Sequence, residues 1–126
     1  MASIMGLHLR YRLWIAEMNA DITVLRIFDD YLAEITSKNN SGDVLKRIKE
    51  YQAQFLNLRN NIDDLRHEMH MNKMNLAAMA KKPQSSLKSI RKTIKYRELK
   101  SRYRLFRKTF DKTKREFQRF ENRLMK

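Results

Sequence analysis

Apolar residues recur along this chain with a helical period in three long stretches. In the first, Tyr11, Met18, Leu25 and Leu32 return every seven residues, with Trp14, Asp21, Phe28 and Ile35 as a second row. The second stretch carries the rows Ile48, Phe55, Ile62, Met69, Leu76 and Val44, Tyr51, Leu58, Leu65, Asn72, Met79. The third carries Tyr103, Phe110, Phe117, Leu124 and Leu99, Phe106, Thr113, Phe120. Paired rows of this kind are the a and d seams of coiled-coil-like packing. They predict helices over about 4–36, 44–80 and 87–125, each on the order of 50–60 Å long.

The breaks between them are short. Ser37-Lys38-Asn39-Asn40-Ser41-Gly42-Asp43 has turn and N-cap chemistry, and Lys81-Lys82-Pro83-Gln84-Ser85-Ser86 joins a helix-breaking proline to capping serines. Neither is long enough to link domains. The expectation is one all-α domain over 1–126, an antiparallel up-down-up bundle of three long helices with heptad packing. Symmetry about the turns sets residue i of the first helix near 80 − i of the second, and residue j of the second near 167 − j of the third. Asp21 then falls level with Arg59 and Lys108, as a charged seam residue that fixes register, and Asn72 falls level with His8 and Lys95. The third helix carries a phase fault. Leu87, Ile90 and Ile94 step by three and four, but Leu99 follows five later, so a kink, a π-bulge or a rotated face is expected near Tyr96. The apolar positions Ile15, Ile22 and Leu105 fall outside the rows and keep dimerisation open.

Charge divides the chain where periodicity does not. The net charge is +14 over 126 residues. Residues 1–80 hold ten basic and ten acidic side chains, whereas 81–126 hold eighteen basic and four acidic. The cationic set Lys88, Arg91, Lys92, Lys95, Arg97, Lys100, Arg102, Arg104, Arg107 and Lys108 occupies most of the non-seam surface of the third helix. Several cations per turn suit a row of phosphates, and the arginine fork suits bidentate phosphate contact. Asp29, Asp30, Asp63 and Asp64 offer partial compensation from the other helices. Most aromatics among these cations lie on seam rows and read as core, with Tyr96 kept as the exception. There is no zinc-finger, basic-zipper or RNP-type motif, so sequence-specific readout is not expected.

Other chemistry is thin. The chain has no cysteine and two glycines, which removes thiolate metal sites and phosphate-cradling loops. Asp63, His67 and His70, with Met74, share a helical stripe whose imidazole spacing is compatible with a metal, but the stripe points away from the seam. Met18, Met69 and Met79 are seam residues, leaving too few methionines for a soft-metal site. His8, Glu17 and Asp21 complete no nucleophile constellation, and Ser37, Ser41, Ser85 and Ser86 read as turn and cap residues. No enzyme activity and no cofactor are expected. His8, Arg10 and Arg12 interrupt the one N-terminal apolar stretch, so neither a signal peptide nor a membrane span is expected, and the cytoplasm is the expected compartment.

The motifs Leu7-His8, Leu13-Trp14, Glu17-Met18-Asn19, Ile27-Phe28, Leu32 and Glu34-Ile35 resemble a family of small all-helical bacterial proteins. Gln54-Phe55, Arg59-Asn60-Asn61-Ile62-Asp63, Leu65-Arg66-His67-Glu68, Phe110, Glu116-Phe117 and Arg119-Phe120 extend the likeness, which is weakest over 73–100. The resemblance implies a compact bacterial helical protein and brings no catalytic or binding residue with it.

The functional expectation is a non-catalytic binding or scaffold protein whose basic third helix docks on nucleic acid or another polyanion. The alternative is a helical adaptor that self-associates or binds a helical protein, its charge only a solvated surface. A metal-binding bundle is third.

Overall fold

The computed structural model describes residues 4–39, 41–79 and 86–124, with side-chain surroundings from residue 5, to residue 78 in the second helix and from residue 95 in the third. The described residues form three helices, α1 (Ile4–Lys38), α2 (Gly42–Met79) and α3 (Ser86–Leu124). Each expected boundary falls within two residues of the observed one. The α1–α2 turn follows from its polar side chains. Asn39 Nδ2 donates to the Ile35 carbonyl at 3.0 Å, covering one of the last open acceptors of α1. The Leu45 amide donates to the Ser41 carbonyl at 3.0 Å, and Asp43 sits in the first turn of α2, where the helix dipole favours an anion.

The helices form an all-α bundle in which α2 packs against both α1 and α3. The seam rows described are its interior: Tyr11, Met18, Leu25, Ile62, Met69 and Leu99 are almost fully buried, and Trp14, Ile35, Val44 and Leu124 pack on the edge of this core. Aromatic rings fill one level, with Phe28, Tyr51, Phe55, Phe117 and Phe120 meeting at centroid distances of 4.7 Å and upward. Burying one such ring stabilises the fold by roughly 1.5–3 kcal/mol. Ile15 and Ile22 join the core, while Leu105 stays 68% exposed.

The register is offset from simple symmetry. Phe28 meets Phe55, where symmetry about the turn puts position 52, and Arg59 pairs with Asp29 rather than approaching Asp21. Large rings and long side chains reach across the seam on the diagonal, so contacts need not be level. Of the kink, π-bulge or rotated face expected at the phase fault, the π-bulge does not occur among the described residues. The α-helix continues through it, and Tyr96 is 8% exposed, one heptad before Tyr103 in the same seam row. The part of the fault on Leu87, Ile90 and Ile94 lies outside the described side chains. Asn72 is buried as a seam residue, and its amide donates to the Glu68 carbonyl of its own helix at 2.9 Å.

Candidate polyanion interface

The seam between α1 and α3 is built from side chains at three levels about one heptad apart. At the first, Trp14 lies near-parallel to Tyr96 (5.6 Å, 11°) and to Tyr103 (5.2 Å, 24°). Those tyrosines are seven residues apart on α3, so they cover opposite faces of the indole. Tyr11 closes the cluster edge-on, and burial drives its hydroxyl pKa above the ordinary tyrosine value. At the second level, Asp21 accepts from both terminal nitrogens of Arg107, at 3.1 and 2.7 Å. Arg107 also donates to the Tyr103 hydroxyl at 2.7 Å and lies near Glu17 and Asp111. Burial opposes its charged form, but the bonds to Asp21 and Tyr103 outweigh that and raise its pKa. At the third level, Phe28 packs on Phe117.

Glu68 makes the corresponding link from α2. Its carboxylate accepts from Lys95 at 2.9 Å and from Arg102 through its other oxygen. The Lys95 bond is the larger cause of its lowered pKa; burial acts the other way, and Arg102 adds to the lowering.

These contacts sort the expected cations. Lys95, Arg102 and Arg107 direct their charge at acids of α1 and α2, and hold the bundle together before they offer anything to a ligand. Arg97, Lys100, Arg104 and Lys108 have no ion-pair partner among the described residues; Lys100 is half-buried and the other three are exposed. Steps of three, four and four set these four on one outer stripe of α3, which exposed Arg115 continues. Lys88, Arg91 and Lys92 belong to α3, but their side chains lie outside the described residues.

On the α1 side, the stripe borders an open groove of about 370 Å³. Arg10 lines one wall; Lys100, Arg104, Arg107 and Lys108 line the other, with Trp14 and Tyr103 between them. Arg10 was not legible as a site residue, because it lies ninety residues from its companions in a region of zero net charge. The compensating acids also differ from those expected. Asp29 pairs with Arg59 and Asp63 with Arg66, both on α2, while Glu68, Asp21 and Glu17 serve α3.

The remaining candidates stay dispersed. Tyr96 is no free stacking platform, because it is buried against Trp14 and Tyr11. Asp63, His67 and His70 are all exposed, and no group of three or more potential metal-binding side chains occurs among the described residues. His70 has a lowered pKa, first from loss of some solvation beside its neighbours and then from Lys73, Arg66 and His67. No helix among the described residues is long and apolar enough to cross a membrane. Comparison with protein-family models, curated proteins and solved structures finds no match to this chain.

Proposed function

We propose that this protein is a non-catalytic binding protein that docks on nucleic acid backbone through the outer stripe of α3. One observation carries the reading: Arg97, Lys100, Arg104 and Lys108 share a face and lack ion-pair partners among the described residues, while nearby acids are occupied by other cations. A row of uncompensated cations on a rigid helix raises the local concentration of anions and releases counterions when phosphates replace them. Nucleic acid in the cytoplasm is the polyanion this arrangement suits.

Fluorescence anisotropy with mixed-sequence DNA and RNA tests the proposal. About four phosphate contacts give a log–log salt slope near −4, so affinity should fall by about two orders of magnitude between 50 and 200 mM salt. A flat salt response, or no binding at 50 mM, rules the reading out.

A second reading rests on a different face. Leu9, Leu13, Ile27 and Tyr31 of α1 are each about half exposed, with Ala16 and Ala20 between them on the outer side of the helix. An apolar stripe of this kind supports a helical adaptor that self-associates or takes another helix. Light scattering over a hundredfold concentration range tests it, and an unchanging monomeric mass speaks against self-association.

A further inference from the structure

We infer that the α1–α3 groove seats a segment of one phosphodiester strand, gripped from both helices and read without its bases. The inference rests on the proposed function and names the part of the ligand that enters this site. Arg10 faces Lys100, Arg104 and Lys108 across the groove, so a strand lying in it meets cations on both sides. A helix with cations on one face alone gives only a one-sided contact.

The aromatic residues determine what is not read. Trp14 is the one tryptophan of the chain and lines the groove, which at first suggests base stacking. Both faces of its indole are already covered, by Tyr96 at 5.6 Å and Tyr103 at 5.2 Å. A nucleobase finds only a ring edge there. The Tyr103 hydroxyl accepts from Arg107, so that hydroxyl is also engaged within the bundle. The exposed cations bind phosphate oxygens equally well beside any base. At about 370 Å³ the open groove has room for a short stretch of one strand.

Arg12 provides the internal control. It is exposed on α1 like Arg10, but two residues on it points to the other flank of the helix and does not line the groove. Diffuse attraction by net charge treats the two arginines alike, whereas a groove does not.

The test is anisotropy with a labelled single-stranded oligonucleotide and its abasic counterpart of equal length, across a salt series, for the full chain and the variants Arg10→Ala, Arg12→Ala and Arg104→Ala. The groove predicts affinities for the two oligonucleotides within about twofold. It also predicts a salt slope reduced by about one for Arg10→Ala and for Arg104→Ala, with Arg12→Ala unchanged. Circular dichroism of each variant checks the fold. If Arg104→Ala weakens binding but Arg10→Ala matches the parent or Arg12→Ala, the groove is overturned and the α3 face survives. A tenfold preference for the base-bearing strand also overturns it. Absence of binding by the parent chain at 50 mM salt overturns both readings.

Discussion

Asp21 and Arg107 join the first helix to the third through two parallel hydrogen bonds of 3.1 and 2.7 Å. The carboxylate is 10% exposed and the guanidinium 25%, so each charge depends on the other for much of its solvation. Asp21→Ala leaves the half-buried Arg107 with only its longer ion pairs to Glu17 and Asp111 and is expected to cost about 2 kcal/mol, under the figure for a fully buried pair. Replacing both, as Asp21→Leu with Arg107→Met, should recover most of that loss. Urea denaturation of the three chains measures both effects, and a single-variant loss under about 0.5 kcal/mol contradicts this account.

Glu68 makes the fold acid-sensitive. Its folded pKa lies below the unfolded carboxylate value of about 4.3, because Lys95 and Arg102 bind its charged form. The stability it contributes is complete above the unfolded value and disappears as pH falls through the lower folded one. Glu68→Gln is therefore expected to be less stable than the parent by about 1 kcal/mol at pH 7, a modest figure because the side chain is 30% exposed. That gap should narrow as pH falls below the unfolded value of about 4.3 and close once it has passed through the lower folded one. A gap that does not narrow on acidification removes Glu68 as its source.

The Tyr103 hydroxyl gives the opposite dependence at high pH. Burial pushes its pKa up to about 12, opposed by Arg107. An acid whose folded pKa is raised contributes stability that is whole below the unfolded value of about 10 and is lost as pH rises through the folded one. Tyr103→Phe should cost about 1 kcal/mol at pH 7, where the Arg107 bond is lost, and should flatten the decline in melting temperature between pH 10 and 12. Melting curves across that interval decide it; an equally steep decline in both chains assigns the effect elsewhere.

Trp14 reports on the groove directly. Its edge lies among Arg10, Lys100, Arg104 and Lys108, so the surrounding potential is positive. Iodide should quench its fluorescence several-fold more effectively than caesium at low ionic strength, and the two quenchers should converge as salt screens the cations. Equal quenching at low salt means that the cations do not act together at this site.

The Trp14 layer also carries structural weight. Trp14→Ala removes two stacked contacts and opens the α1–α3 seam, with an expected cost of about 2–3 kcal/mol by urea denaturation. Trp14→Phe keeps part of the stack and should lose about half as much. Equal losses for the two variants argue that stacking contributes little.

Much of this molecule is legible in one dimension. Heptad rows such as Tyr11–Met18–Leu25 and Tyr103–Phe110–Phe117 identify the helices and their buried faces. The seam position of Tyr96 is legible too, because it lies one heptad before Tyr103. For Asp21, symmetry points to Arg59 and Lys108; Arg59 pairs with Asp29 instead, and the partner on α3 is Arg107, one residue before Lys108. The role of Glu68 is not legible in the sequence, because nothing in its neighbourhood on α2 shows that Lys95 and Arg102 converge on it.

The sequence by itself therefore determined three amphipathic helices, their ends and the concentration of charge in the third. Helical period, capping and composition are local, and each is set within a few turns of chain. Only the tertiary structure decided which cations are engaged and which are free. A residue advances 1.5 Å along a helix and turns about 100° around it, so one position of offset or rotation exchanges one partner for another. That small geometry joins Arg107 to Asp21, leaves Lys108 outside, and brings Arg10 across to α3 to complete the groove.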